Sequence, residues 1–346
     1  MAGWGVHSPA QSIIPGIAIS CPGGACSVPN RSHFNPAHRM MNRLRREGRK
    51  HSSAVEWRRP AETRHLVLTM DAAELLRSLP DSSIQLMVVD PPYNLDIATW
   101  DRFGDYISWA EGWLAEIPRV LSERGSLALF GGLQFQEERG GDLLEIMHHL
   151  RHRTALRLVN LIVWNYSTGM SAHRFFANRH EEIAWYARTD RYYFDLDAVR
   201  ERFDRRTLEL YLRDRRLNPE SVRKGKNPGN VWRFERLSAN SRERVGHPTQ
   251  KPAELIRRIV SSMSYPGSLV LDPFAGSGVT ARVCIEEGRH SIVSDTDPLL
   301  PRYLERQLAL LPDPRAPHTI DREMRPADFL ALVARVSGYG ASTPPI

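Results

Sequence analysis

Cysteine is scarce in these 346 residues: only Cys21, Cys26 and Cys284. Three cysteines exclude a disulfide framework and any Cys-rich zinc site. Nor does any apolar run approach the 18 residues from which a membrane-crossing helix is read. The stretch from Ile13 to Cys21 has the outline of a signal peptide ending in a lipobox. Pro15 and Gly16 interrupt it, and no Lys or Arg precedes it, so the expected location is the cytoplasm. Internal repeats are absent. No metal site is expected: His180-Glu-Glu182 lacks the second histidine of a zinc-protease helix. Gly225-Lys226 likewise lacks the spacing of a phosphate-binding P-loop.

What the chain does carry is positive charge, and unevenly. Its 47 Lys and Arg against 40 Asp and Glu give a net +7. Residues 31–59 hold nine Lys/Arg against Glu47 and Glu56, and residues 200–244 hold fourteen against seven acids. Each segment alone equals the net charge of the whole chain, so the remainder is acidic. Two basic segments on an acidic body suggest a surface for a polyanion.

Residues 1–30, rich in Pro, Gly and Ser, read as a disordered leader, and residues 31–59 as a basic segment with helix from Ala37 to Glu47. Strand and helix then alternate. Strands are predicted at His65–Met70, Ile84–Asp90, Ser126–Phe130, Leu156–Trp164 and Glu182–Ala187. Helices are predicted at Ala72–Leu79, Asp105–Leu121 and Gly140–Leu150. From about Asp195 to Val245 the sequence turns polar and Arg-rich, without apolar rhythm. The alternation resumes with helix Ala253–Met263, strand Ser268–Asp272, helix Val279–Glu287, strand Ser291–Ser294 and helix Pro301–Leu310. This is the pattern of a three-layer α/β fold with a mostly parallel, seven-stranded sheet carrying an insertion. Trp109 and Trp113, four residues apart on one helix, read as core.

Two motifs carry chemistry. In Leu269-Val-Leu-Asp272-Pro-Phe274-Ala-Gly276-Ser-Gly278, an apolar strand runs into a glycine turn that opens a helix. Such a turn lets backbone approach a ligand closely. With Ala281 it also satisfies the dinucleotide fingerprint, so alone it leaves a nicotinamide enzyme open. Asp295, ending the next strand, is placed to accept from ribose hydroxyls in either case. The second motif is Asp90-Pro91-Pro92-Tyr93, at the end of a buried strand. The prolines fix the backbone so that polar groups face outward at the strand's carboxyl end. An amino group bound there could donate to Asp90 and to the Pro91 carbonyl, with Tyr93 as a stacking surface. A nicotinamide oxidoreductase would have no use for this tetrapeptide.

Asp90-Pro-Pro-Tyr93 resembles the catalytic tetrapeptide of amino-methyltransferases, and Phe274-Ala-Gly-Ser-Gly278 their S-adenosylmethionine loop. The catalytic motif precedes the cofactor loop with the Arg-rich stretch between, which resembles the beta group of DNA amino-methyltransferases. His247-Pro-Thr-Gln-Lys-Pro252 is similar to the same group. The resemblance covers about residues 29–312 and is closest to the RsrI-type modification methyltransferases, through Arg174-Phe-Phe-Ala-Asn-Arg-His-Glu-Glu182 and Phe194-Asp-Leu-Asp-Ala-Val-Arg200.

The resemblance implies a Rossmann-like methyltransferase fold. Residues 60–165 would be its catalytic half, 166–246 a target-recognition region, 247–312 its cofactor-binding half and 313–346 a tail. It implies S-adenosylmethionine as cofactor, held by Asp71, Asp90, Phe130, His247, Thr249, Lys251, Asp272, Phe274, Gly276, Gly278 and Asp295. The catalytic group would be Asp90, Pro91, Pro92 and Tyr93, and DNA would be bound by Arg213, Arg215, Arg216, Arg223, Lys224 and Lys226. The expected reaction is N6 methylation of a flipped adenine in duplex DNA, with GAATTC as the site and a companion endonuclease as partner. The protein would act as monomer or homodimer. N4-cytosine methylation on the same fold and a catalytically inactive DNA-binding relative remain open. Cytosine C5 chemistry does not fit: that reaction needs a cysteine nucleophile, usually in a Pro-Cys context, whereas Cys26 follows Ala25 and Cys284 lies within a helix.

Overall fold

The computed structural model describes Trp57 and residues 59–95, 101–133, 143–167, 169, 173–174, 176–311 and 317–337. The expected leader, the helix from Ala37 to Glu47, Cys21 and Cys26 lie outside the described residues. In chain order the elements are β1 (Thr63–Thr69), α1 (Ala72–Ser78), β2 (Ile84–Val89), α2 (Tyr106–Leu114), α3 (Ile117–Val120), β3 (Leu121–Gly131) and α4 (Leu143–Arg153). There follow β4 (Arg157–Asn165), β5 (His180–Ala187), α5 (Arg205–Arg213), α6 (Pro219–Lys224) and β6 (Val231–Arg233). The chain then forms α7 (Ala253–Met263), β7 (Leu269–Asp272), α8 (Val279–Glu287), β8 (His290–Asp295), α9 (Leu300–Leu308), β9 (His318–Asp321) and α10 (Pro326–Ser337).

The strands form one sheet in the order β6-β4-β5-β3-β2-β7-β8-β1-β9. Among them β5 alone runs against the rest, antiparallel to both β3 and β4. Every residue of β2 is buried, which is why its sequence is apolar throughout rather than alternating, save Gln85, whose amide donates to the Arg124 and Met263 carbonyls. Its side chains divide between the two faces with period two. Met87 and Val89 join one core with Leu75, Trp113, Leu150 and Phe329. Leu86 and Val88 join the other with Ile256, Ile259, Val260 and Val283. Helices α1, α2, α4 and α10 therefore cover one face, and α7 and α8 the other, giving three layers.

The seven strands legible in the sequence are the contiguous middle of this sheet; β6 and β9 extend its two edges. Both are short, three and four residues, and each sends one large apolar side chain, Trp232 or Ile320, to the core, too little for a periodic signal. The stretch 313–346, read as a tail, contains β9 and α10, and Phe329 of that helix is fully buried. Truncating so buried a phenylalanine typically costs about 3–5 kcal/mol, so α10 contributes to the core. The expected helix over Asp105–Leu121 is two helices, because Pro118 in the first turn of α3 cannot continue α2. Asp105 caps α2, accepting from Ser108 N at 3.0 Å.

After β2 the chain passes through α2 to β3 on one side; after β7 it passes through α8 to β8 on the other. β2 and β7 are hydrogen-bonded neighbours, Leu86 opposite Val270. The connections thus diverge between them, and the carboxyl ends of these strands are where an open α/β sheet leaves a crevice.

Candidate active site

A cavity of about 860 Å³ occupies that crevice. Asp90, at the end of β2, and Lys251, from the loop before α7, meet across it although 161 residues separate them. The Lys251 ammonium lies 2.9 Å from Asp90 Oδ1 and 2.7 Å from Oδ2. Tyr93 donates its hydroxyl to Asp90 Oδ1 at 2.8 Å. Burial, reinforced by the Asp90 and Glu181 carboxylates, holds the Tyr93 phenol well above its ordinary value, so it is a neutral donor. Burial alone would lower the Lys251 ammonium, but Asp90 and Glu181 outweigh it and keep its pKa raised. The ammonium sits 5.4 Å from the ring centres of both Tyr93 and Phe130, which bound its pocket.

Local sequence explains the placement. Asn94 takes a left-handed φ of 56° directly after Tyr93. Its side chain accepts from Phe103 N at 2.8 Å, while the buried Asp101 carboxylate accepts from Asn94 N at 2.7 Å and Leu95 N at 2.9 Å. Tyr106 donates to the Pro92 carbonyl at 2.7 Å. The tetrapeptide is therefore braced from behind by α2. The Lys251 loop is braced by Gln250, whose side chain accepts from Val245 N at 2.9 Å and donates to the Glu243 carbonyl at 2.8 Å.

The glycine turn closes the other end. Gly276 adopts φ +47°, and a Cβ there would stand 2.8 Å from His247 Cε1. Its N–H donates to Asp295 Oδ2 at 2.8 Å, and Asp297 N donates to Oδ1 of the same carboxylate at 2.9 Å. Phe274 packs edge-on against Trp113, ring centres 5.3 Å apart. Asp272 accepts from Phe274 N at 3.1 Å and from the Thr280 hydroxyl at 2.5 Å. Burial nevertheless lifts its pKa to about 7, against the lowering effect of those two bonds. Burial also lowers His247, with Asp295 partly opposing, and so favours a neutral ring. Asp71 caps α1, accepting from Ala73 N at 2.9 Å and Glu74 N at 3.1 Å.

Asp71, Asp90, Pro91, Pro92, Tyr93, Phe130, His247, Thr249, Lys251, Asp272, Phe274, Gly276 and Asp295 all line the one cavity. Gly278 does not; it begins α8 at φ +73°, packed under Leu304. None of the six basic residues of the insertion lines it. All six are exposed. Arg216 is paired with Asp214 at 2.7 Å, Lys224 with Asp197 at 2.7 Å and Lys226 with Glu201 at 3.4 Å. Cys284 is buried within α8, where burial pushes its thiol up, away from nucleophilic use.

The structure adds residues that pattern alone did not mark. Glu181, at the start of β5, faces Lys251 and Tyr93. Tyr166, Arg236 and Arg244 also line the cavity, with the Arg236 guanidinium 5.1 Å from the Tyr166 ring centre. Trp109 is only half buried; it lies against Phe103, ring centres 4.2 Å apart, and forms part of the cavity wall as well as packing on the core. The available signals were faint: a glutamate in the Arg174–Glu182 run, and arginines amid an Arg-rich stretch.

Residues 84–302 match the family model described as DNA methylase, N6_N4_Mtase. The type II methyltransferase M.ScaI of Streptomyces caespitosus is 32% identical over 229 residues, 64% of this chain and 74% of that protein. M.BglII of Bacillus subtilis is 33% identical over 67% of this chain and 65% of its own length. The DNA adenine methyltransferase YhdJ of Escherichia coli (strain K12) is 32% identical over 64% of this chain and 75% of its own. Among solved structures, the PvuII DNA methyltransferase (cytosine-N4-specific) superposes with a TM-score of 0.54 at 17% identity, over 81% of this chain and 96% of that one. A DNA modification methylase of Thermus thermophilus, complexed with S-adenosyl-L-methionine, gives 0.50 at 22% identity, over 75% and 99%.

Proposed function

The chain belongs to the DNA methylase family, and on that premise we propose that it methylates the N6 amino group of adenine within a specific duplex sequence. S-adenosylmethionine is the cofactor, and the residues present fit it. The floor at Gly276 is kept bare where a Cβ would collide with His247. Carboxylates at Asp71 and Asp295 border the same space, and about 860 Å³ lies in the upper part of the range for ligand sites. When bound, the cofactor supplies an activated methyl group on a sulfonium.

The observation that carries the adenine reading is Asp90 itself, heading the Pro-Pro-Tyr turn at the mouth of the crevice. An exocyclic amine is a weak nucleophile because its lone pair is shared with the ring. Asp90 would accept one amine hydrogen and the Pro91 carbonyl the other, turning the lone pair out of the ring plane. Tyr93, held by its hydroxyl, would present its face to the extrahelical base. Asp90 holds the amine rather than deprotonating it first, since a methylated ammonium is acidic and loses its proton afterwards. The work done by the protein is alignment.

Residues 166–246 would choose the sequence, with Arg213, Arg215, Arg216, Arg223, Lys224 and Lys226 on phosphates. The relatives named type II methyltransferases support a modification role beside a companion endonuclease, and the RsrI-type resemblance favours GAATTC. The test is to incubate the protein with duplex DNA and tritiated cofactor, then separate the nucleosides. N6-methyl-2′-deoxyadenosine is expected, with protection from an enzyme that cuts GAATTC. Label in N4-methylcytosine, or label unaffected by Asp90→Ala, overturns the reading.

A further inference from the structure

Lys251 is shared by two carboxylates. Its ammonium lies 2.7 Å from Asp90 Oδ2 and 3.6 Å from Glu181 Oε2. The Tyr93 hydroxyl closes the group, 2.8 Å from Asp90 Oδ1, 3.4 Å from Glu181 and 3.5 Å from the ammonium. All four groups line the cavity. Glu181 is 7% exposed and Lys251 9%, so little solvent screens the set. One ammonium, one neutral phenol and two carboxylates give the set a net charge of minus one; Arg236 and Arg244 line the same cavity, but among the described residues the ion-pair partner of Glu181 is Lys251. Asp71, Asp272 and Asp295 also face the cavity, but each is tied to backbone N–H groups of its own turn. Among the described residues the Glu181 carboxylate has no such backbone tie; its partners are Lys251 and Tyr93. It has no evident work in shaping the turn that holds Asp90, which Asp101, Asn94 and Tyr106 already do.

We infer that Glu181 is the charge-matching residue of the cofactor site: with Lys251 neutralising Asp90, the Glu181 carboxylate selects a ligand that is cationic beside Tyr93. The methyl donor is such a ligand and its demethylated product is not. In the transfer, the carbon–sulfur bond breaks as a carbon–nitrogen bond forms. The sulfur becomes a neutral thioether and the positive charge passes to the amine, which then gives up a proton. Glu181 therefore favours entry of the charged donor and exit of the neutral product. Because the donor sulfonium and the methylated amine are both cationic near one spot, the carboxylate serves ground and transition states alike. Its loss should fall on donor binding more than on turnover.

This rests on the methylation reading for where the donor's charge lies, but its test needs no DNA. Isothermal titration of the whole protein would give dissociation constants for S-adenosylmethionine and S-adenosylhomocysteine, which differ only in the methyl group and its charge. In Glu181→Gln the preference for the charged ligand should fall by at least about tenfold, a lower bound for one charge at close range where little solvent screens it. Glu181→Asp should keep it within about twofold. Should the glutamine variant fail to fold, Glu181→Met, of similar volume, is measured in its place and should lose the preference equally. An unchanged ratio, or equal loss of both ligands, overturns the inference. A lowered ratio in a protein that methylates no adenine leaves it standing and sinks the adenine assignment instead.

Discussion

Gly276→Ala tests the cofactor floor through a single methyl group. At φ +47° an alanine is in the left-handed region, which costs an L-residue about 1–2 kcal/mol. The new Cβ would lie 2.8 Å from His247 Cε1, 3.1 Å from Nε2 and 3.3 Å from Nδ1. The ring cannot swing freely: it packs edge-on with Tyr303, ring centres 5.5 Å apart, and Arg244 donates to the His247 carbonyl at 3.3 Å. Displacing a packed ring adds about 1–3 kcal/mol. If the strain is relieved by opening the turn, the Gly276 N–H leaves Asp295 and the floor is lost. The summed penalty of about 2–5 kcal/mol is divided between fold and site, and the cofactor dissociation constant rises about thirtyfold or more where it all falls on binding. Titration calorimetry would measure it, with urea unfolding to record how much of the penalty falls on the fold. A variant with wild-type cofactor affinity and wild-type stability would refute the close packing of His247 over this glycine.

Further outcomes are expected elsewhere. Asp90→Ala should abolish methylation while leaving sequence-specific DNA binding intact by gel shift. Tyr93→Phe should retain much of the activity, whereas Tyr93→Ala should weaken the flipped-in state by about 1–3 kcal/mol, read with 2-aminopurine at the target position. Charge reversal at Arg213, Arg215 or Arg223 should each lower the salt slope of DNA binding by about one. Reversal at Arg216, Lys224 or Lys226 should do less, because Asp214, Asp197 and Glu201 already compete for those cations; fluorescence anisotropy across a salt series compares the two sets. Asp272 has a folded pKa near 7 against an ordinary 3.8, so between those values the folded state binds the extra proton. Stability should then fall as pH rises from about 4 to 7 and level off above, a trend that Asp272→Asn removes in urea unfolding.

The middle of the sheet was legible because β2, β3, β5, β7 and β8 are mostly buried and read as apolar runs between helices of ordinary period, with the half-exposed β4 showing in its apolar residues Leu161, Ile162, Val163 and Trp164. The edges were not. Val231–Arg233 has one buried residue of three, and His318–Asp321 has none, so neither carries a periodic signal. Pro326–Ser337 has apolar spacing of its own, but the Pro-rich approach masked it. The residues of the Asp90–Tyr93 turn and the glycine turn converge on one cavity because each ends a central strand, a position that the strand–turn pattern encodes. Gly278 belongs to the packing of α8 under Leu304 rather than to the cavity wall. Glu181 and Arg236 were not marked because their proximity to Lys251 and Tyr166 comes from strand pairing across the sheet, β3 to β5 and β4 to β6. No local spacing records that.

The separation between Asp90 and Lys251 is set by the pairing of β2 with β7, and not by their sequence separation of 161 positions. Everything from β3 to β6 leaves the sheet's centre on one side and returns to it at α7. Lengthening such an excursion costs only about 0.6 kcal/mol per doubling in closure entropy, and it need not move either end. The six exposed basic residues between Arg213 and Lys226 all lie outside the cavity wall. If they choose the DNA site as proposed, a lineage can exchange them without touching Tyr166, Glu181 or Arg236, and so without relearning how to move a methyl group.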